Sequence, residues 1–192
     1  MSYVLADSTL KVKMTGLANE DTTFNPAFHP YFNLSAERTN TLTHEISTNA
    51  ECLVETDKEN IPTGRLLKVD DTIYSLKESV LISEVIKKIP QGLDSCFVFP
   101  KNSNHNFLKL ADTNSGRSMV CHTDRQAVVI YTATHPKNSK VNGKPMTSNR
   151  GIAIEFQEIP DLVHHPEWGS IELKKGLKKE FETEYIFSNL SF

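Results

Sequence analysis

Three short segments carry residues whose types and surroundings suit proton-transfer chemistry. In Asn25 to Leu34 (NPAFHPYFNL), His29 sits among aromatic residues and two prolines. Pro26 and Pro30 each lack a backbone N–H and fix φ, so an imidazole on this path is held rather than mobile. In Gly92 to Phe99 (GLDSCFVF), Asp94 precedes an apolar run. In Ile152 to Gln157 (IAIEFQ), Glu155 interrupts an apolar strand, where burial costs free energy unless something polar answers it. Burial raises a carboxyl pKa and a neighbouring cation lowers it again, so paired acid and base groups can be tuned toward neutral pH. Each residue also has a plain structural reading. His29 reads as an imidazole packed by Phe28, Tyr31 and Phe32. Asp94 reads as a turn or capping residue. Glu155 reads as the solvent-facing position of an alternating strand.

Other chemistries lack their signatures. No phosphate loop, dinucleotide fingerprint, nucleophile elbow or zinc motif occurs. The nearest approach to a metal site is His164-His165, but adjacent side chains point in different directions and no spaced third ligand follows. No metal and no cofactor are therefore expected.

The elements that must position these residues are strands. Thr9 to Met14 alternates with period two, placing Leu10, Val12 and Met14 on one face and Lys11 and Lys13 on the other. Phe181, Thr183, Tyr185 and Phe187 alternate in the same way with Glu180, Glu182, Glu184 and Ile186. One packed and one wet face is the mark of an antiparallel sheet. Arg117 to Asp124 and Gln126 to Thr132 read as two further strands joined tightly, and Gly151 to Gln157 as another. Turn signals separate them at Asn25-Pro26, Ile61 to Gly64, Asn114 to Gly116, Asn142 to Pro145 and Lys175-Gly176. A single helical pattern, over Leu76 to Lys88, rests on Leu76, Val80, Leu81 and Val85. Many short strands with frequent turns predict a sandwich or barrel.

With 192 residues, 38% apolar and 23% charged, the chain reads as one globular domain over residues 1–192. A net charge of −3 gives no basic footprint for nucleic acid, so a small neutral ligand is the expected partner. No apolar run is long enough to span a membrane. The N-terminal residues Met1 to Asp7 lack the cationic and apolar regions of a signal peptide. Cys52, Cys96 and Cys121 form no CxxC pair and are expected as reduced, buried thiols in the cytoplasm.

At the three segments singled out first, the sequence resembles the aldose 1-epimerase (galactose mutarotase) family, in its stand-alone form or as part of a fungal-type bifunctional galactose enzyme. The family's Asn-His-Ser/Thr-Tyr-Phe-Asn-Leu stretch is similar to Phe28-His29-Pro30-Tyr31-Phe32-Asn33-Leu34. Its Gly-Tyr-Asp-His stretch is similar to Gly92-Leu93-Asp94-Ser95, and its Leu-Glu-Thr-Gln stretch to Ile154-Glu155-Phe156-Gln157 followed by Pro160-Asp161. Pro62-Thr63-Gly64, His165-Pro166-Glu167-Trp168 and Glu184 to Phe187 add supporting matches in the right order. The chain departs from the pattern at Phe28, Ser95 and Phe156, where the family usually has Asn, His and Thr.

The resemblance implies a large antiparallel β-sandwich of the galactose mutarotase-like supersandwich kind. It implies interconversion of the α and β anomers of free hexoses such as galactose and glucose, without a cofactor. Glu155 would take the role of base, His29 that of acid, and Asp94 would bind sugar hydroxyls; Tyr31, Phe32 and Trp168 are candidate apolar walls. Family members are usually much longer, with additional N-terminal strands that bring an Arg and a second His to the sugar site. The expectation is thus an N-terminally truncated sandwich with an exposed sheet edge, open to a complementing chain or a second copy. A silent sugar-binding or regulatory domain is the alternative to an active enzyme.

Overall fold

The two alternating runs become neighbouring strands, and the rest of the molecule is laid out around them. The structure is a computed structural model that describes residues 1–36, 39–101, 103, 106–136, 140–141, 143–145 and 147–190. Its first part contains β1 (Ser2–Ala6), β2 (Thr9–Leu17), β3 (Thr22–Thr23), β4 (Tyr31–Phe32), β5 (His44–Thr48), β6 (Cys52–Thr56), β7 (Pro62–Lys68) and β8 (Val80–Leu81). A short helix, α1 (Ile82–Lys88), leads to β9 (Asp94–Val98), β10 (Asn106–Asp112), β11 (Arg117–Thr123) and β12 (Ala127–Tyr131). The remainder is β13 (Lys140–Val141), β14 (Lys144–Pro145), β15 (Ile152–Gln157), β16 (Glu172–Leu173) and β17 (Lys178–Asn189).

Two antiparallel sheets form the predicted sandwich. The seven-stranded sheet runs β1-β2-β17-β11-β10-β5-β8 and the six-stranded sheet β4-β15-β12-β9-β6-β7. Between them lies one core, with Val12, Ile46, Leu110, Met119 and Tyr185 from the first sheet meeting Phe97, Val128, Ile130, Ile154 and Phe156 from the second. On the outer face of the larger sheet, Lys11 pairs with Glu182 and Glu184 and Lys13 with Glu180, so the polar positions of the alternation answer one another. The edge strand β1 is exposed along its whole length, with Tyr3, Val4 and Leu5 between 55% and 74% accessible.

Three expectations are corrected. The helix is confined to Ile82–Lys88: Leu76 is buried outside it, and Val80–Leu81 is a strand paired with β5. Its apolar spacing reflects core contacts of an extended segment, and the helix stops before Ile89, whose α conformation Pro90 disfavours. Pro62 to Gly64 begins β7 instead of forming a turn; Gly64 lies where the register with β6 shifts, at φ +87°, and a methyl on it would press on the His165 ring. β11 and β12 are joined tightly as expected, and their junction crosses from the larger sheet to the smaller. Cys52 is only half-buried, whereas Cys96 and Cys121 are buried, and all three are free thiols. The Asn114 to Gly116 hairpin forms as expected between β10 and β11, while Asn142 lies outside the described residues.

One buried polar group ties the loop after β4 to the core. His44 is fully buried, and its Nε2 accepts the Leu34 backbone N–H at 2.8 Å, with Nδ1 3.8 Å from Asp112 Oδ1. Accepting that bond requires an unprotonated Nε2. Burial holds the imidazole below its ordinary value of 6.5, against the opposing pull of Asp112. The unfolded chain therefore binds the proton more readily, and stability falls as pH drops below about 6.5. Urea unfolding midpoints between pH 7.5 and pH 5.5 should show this decline. His44→Gln should flatten it, and an unchanged slope in that variant would assign the effect to other groups.

Candidate active site

Register in the six-stranded sheet brings the sequence-predicted residues to one face. Asp94 on β9 lies opposite Tyr131 on β12, Tyr131 opposite Ala153 on β15, and Ala153 opposite Tyr31 on β4. The row two residues further along holds Cys96, Val129 and Glu155. Directly opposed residues share a face and so do residues two apart, so Asp94, Tyr131, Tyr31 and Glu155 all project from the same side. Ile130, Ile154 and Phe156, one position off, project into the sandwich core. Glu155 is thus tolerated in an apolar strand because it points away from the core.

Its partner arrives from the segment preceding and including β4, which runs antiparallel along β15. Tyr31 and Phe32 pair with Ala153 and Ile152, the Ile154 N–H donates to Pro30 O at 3.4 Å, and Asn33 Nδ2 donates to Arg150 O at 2.8 Å. At the far end the Asn25 side chain bonds both backbone groups of Glu158: its Nδ2 donates to Glu158 O (3.1 Å) and its Oδ1 accepts Glu158 N–H (2.9 Å). His29 lies between these two attachments, above Glu155. Its Nε2 is 3.0 Å from Glu155 Oε1, with the imidazole 51% accessible and the carboxylate 13%. The His29 and Tyr31 rings are 5.2 Å apart, and Tyr31 meets Tyr131 edge to face at 6.4 Å.

The electrostatics follow from this placement. Burial raises the Glu155 pKa above its ordinary value, His29 pulls it down, and Asp94 pushes it up. A carboxylate held in this way is a stronger base than an exposed one. Burial also raises the Tyr31 hydroxyl, reinforced by Tyr131, Glu155 and Asp94. Asp94 itself is exposed at the start of β9. Its position is set by Gly92, at φ +77°, where a methyl would run into the hydroxyls of Thr132 and Thr134. Thr132 Oγ1 in turn accepts the Leu93 N–H at 3.0 Å.

The chain also matches known proteins in sequence and in fold. The sequence profile of the family described as aldose 1-epimerase matches residues 1–186. The chain belongs to the aldose 1-epimerase family. The aldose 1-epimerase of Streptococcus thermophilus is 30% identical over 181 residues, covering 90% of this chain and 51% of that protein. Human galactose mutarotase is 26% identical over 193 residues, covering 98% of this chain and 56% of that protein. In fold, an aldose epimerase homologue from C. elegans superposes with a TM-score of 0.88 at 22% identity, over 98% of this chain and 59% of its own. The chain therefore spans about half the length of the curated relatives it matches.

Other predicted residues of this aldose 1-epimerase family member divide between the two faces of the smaller sheet, Phe32 on the core side and Trp168 on the side of Asp94 and Glu155. Phe32 turns inward onto Tyr185 at 5.4 Å. Trp168 stacks on His165 at 4.5 Å and packs over Val54, Cys96 and Val98, beside a cavity of about 450 Å³ lined also by Cys52 and Arg125. His164 contacts Asp161, His165 contacts Glu167, and no group of three or more potential metal ligands occurs among the described residues. Sequence reasoning missed Arg125 and Glu158, which form a buried ion pair at 2.9 Å. Asp124-Arg125-Gln126 reads as a polar turn, and only the crossing between sheets buries it.

The electrostatic account is directly measurable. In a carboxyl-carbon NMR titration, Glu155 should titrate above an ordinary glutamate. In His29→Asn the loss of the neighbouring cation should move it higher still. A Glu155 that titrates identically in both proteins would show that the imidazole does not act on it.

Proposed function

We propose that this chain interconverts the α and β anomers of free hexoses, galactose and glucose among them, by general acid–base ring opening. The observation that carries the reading is the 3.0 Å contact between His29 Nε2 and Glu155 Oε1 on an open sheet face that also holds Asp94. The two oxygens that exchange protons in such a reaction, the anomeric hydroxyl and the ring oxygen, are both bonded to C1. An acid and a base on one side of the ring can therefore reach both oxygens, and His29 and Glu155 stand together on one face.

In this scheme the Glu155 carboxylate removes the proton from the C1 hydroxyl while His29, as imidazolium, protonates the ring oxygen. The C1–ring oxygen bond breaks and C1 becomes an aldehyde. After rotation about C1–C2, the released hydroxyl returns its proton to His29 as its oxygen attacks the other face of C1. Glu155 reprotonates the new anomeric oxygen. Protons balance, nothing is oxidised, and the enzyme ends as it began. The contact with His29 opposes the effect of burial on Glu155 and so favours the carboxylate, the form that acts as base. Asp94, exposed on the same face, binds hydroxyls of the sugar and restricts its placement over the pair.

Residues 1–192 act in this reading as one mutarotase-like domain whose sugar site receives further groups at the exposed sheet edge, from a complementing chain or a second copy. The unpaired thiols suit a reducing compartment, in keeping with a cytoplasmic enzyme.

Polarimetry on freshly dissolved α-D-galactose and α-D-glucose tests the proposal. The protein should accelerate mutarotation, Glu155→Gln should abolish the acceleration, and His29→Asn should lower it by about 10² to 10⁴-fold. Wild-type turnover in folded Glu155→Gln would remove that residue from the mechanism. No acceleration by folded wild-type protein would replace the enzyme with a silent sugar-binding domain.

A further inference from the structure

Arg125 occupies the crossing between β11 and β12 and is 1% exposed. Its guanidinium reaches three acceptors on two chain segments at once. Nε donates to Glu158 Oε1 at 2.9 Å, Nη1 to Pro26 O at 3.0 Å, and Nη2 to Asn25 Oδ1 at 2.5 Å. The plane is closed from one side by the Phe181 ring, 3.6 Å from the guanidinium carbon. Asn25 lies four residues before His29 and Glu158 three residues after Glu155, and the Asn25 side chain links them directly through both backbone groups of Glu158.

We infer that Arg125 is the positioning residue of the acid–base pair: it fixes the segment bearing His29 against the strand bearing Glu155. The inference rests on the acid and base roles proposed above. The segment from Asn25 to Asn33 has two attachments, the β4–β15 pairing at one end and the Arg125 cluster at the other. The imidazole projects from the short span between them, bounded by Pro26 and Pro30. Releasing one end would let His29 swing on the other. A buried ion pair contributes little net stability, because desolvation offsets the attraction; what it supplies is a single permitted arrangement. Arginine is needed for this because its planar fork meets three acceptors together, whereas a lysine ammonium cannot span them.

Two variants separate positioning from folding. Arg125→Lys keeps a cation beside Glu158 and loses the fork. Asn25→Ala leaves the Arg125–Glu158 pair and the Arg125 bond to Pro26 O intact and removes every side-chain bond that Asn25 makes to Arg125 and Glu158. Both are to be checked for a cooperative thermal melt and then read in two ways. The first is the carboxyl-carbon titration of Glu155 without sugar; His29, Asp94, Tyr31 and Tyr131 are the titratable groups facing it. In both variants it should move toward the curve of His29→Asn. The second is mutarotation, where kcat should fall by about 10 to 100-fold with KM changed less, the scale expected for a displaced catalytic group. A folded variant with the wild-type Glu155 titration and wild-type kcat would overturn the inference, as would a kcat loss that only tracks the folded fraction. Should the wild-type protein prove inactive while the titration moves as described, the positioning role stands and the catalytic reading falls.

Discussion

A guanidinium that is 1% exposed must find acceptors inside the protein, and Arg125 finds them on the two segments that bear His29 and Glu155. The arrangement follows from topology. β11 ends in the larger sheet and β12 begins in the smaller, so the polar turn between them is drawn beneath the loop that precedes β4 and the end of β15. Once there, the charge is costly unless Glu158, Asn25 and Pro26 converge on it. Satisfying one buried cation thereby places His29 over Glu155.

The carboxylates bear the cost of this arrangement. Burial raises both Glu155 and Glu158 above their ordinary values, with His29 and Arg125 respectively opposing the shift. A group whose folded pKa is raised binds its proton more tightly in the fold, so stability from these carboxyls is lost as pH rises through their range. His44 acts with the opposite sign, since its buried imidazole resists protonation as pH falls. The fold is thus constrained from both directions by groups it cannot make apolar. Glu155 is raised by burial and drawn back by His29, and His44 is neutral because the Leu34 N–H requires an acceptor.

Much of this was legible in the sequence where a residue's role depends on its immediate neighbours. The alternation at Thr9 to Met14 and Phe181 to Phe187 identified two strands that indeed pair, and Glu155 stood out because a charge in an apolar strand asks for a partner. His29, between its prolines, proved to be that partner. What could not be read locally was which sheet each strand joins. Without the crossing after β11, Arg125 is an ordinary turn residue and Glu158 an ordinary charge after a strand. Leu76 and Val80 imitated a helical stripe because core positions on an irregular path can fall at any spacing. Gly64 looked like a turn because positive φ is shared by turns and bulges alike.

The departures from the family pattern take on a different weight once faces are assigned. Successive strand residues point to opposite sides of a sheet, so Ser95 and Phe156 face away from the side that holds Asp94 and Glu155. Phe156 is 2% exposed in the core and stacks on Phe99 at 6.3 Å. Ser95 lies opposite Ile130, itself a core residue. Neither change alters the face on which a sugar would lie. Phe28 is the one departure adjacent to the chemistry, and it exchanges an amide for a packing contact, its ring lying 5.8 Å from Tyr3 and 6.3 Å from Tyr185. An amide at that position would orient its neighbour by hydrogen bonding. Here the orientation of His29 comes from the backbone on either side, anchored by an aromatic ring at Phe28, by the sheet at Tyr31, and by Arg125 at Pro26. The segment is therefore held by packing and main-chain contacts, and its divergence from the pattern is a change in how the imidazole is supported, with His29 and Glu155 both present and in contact.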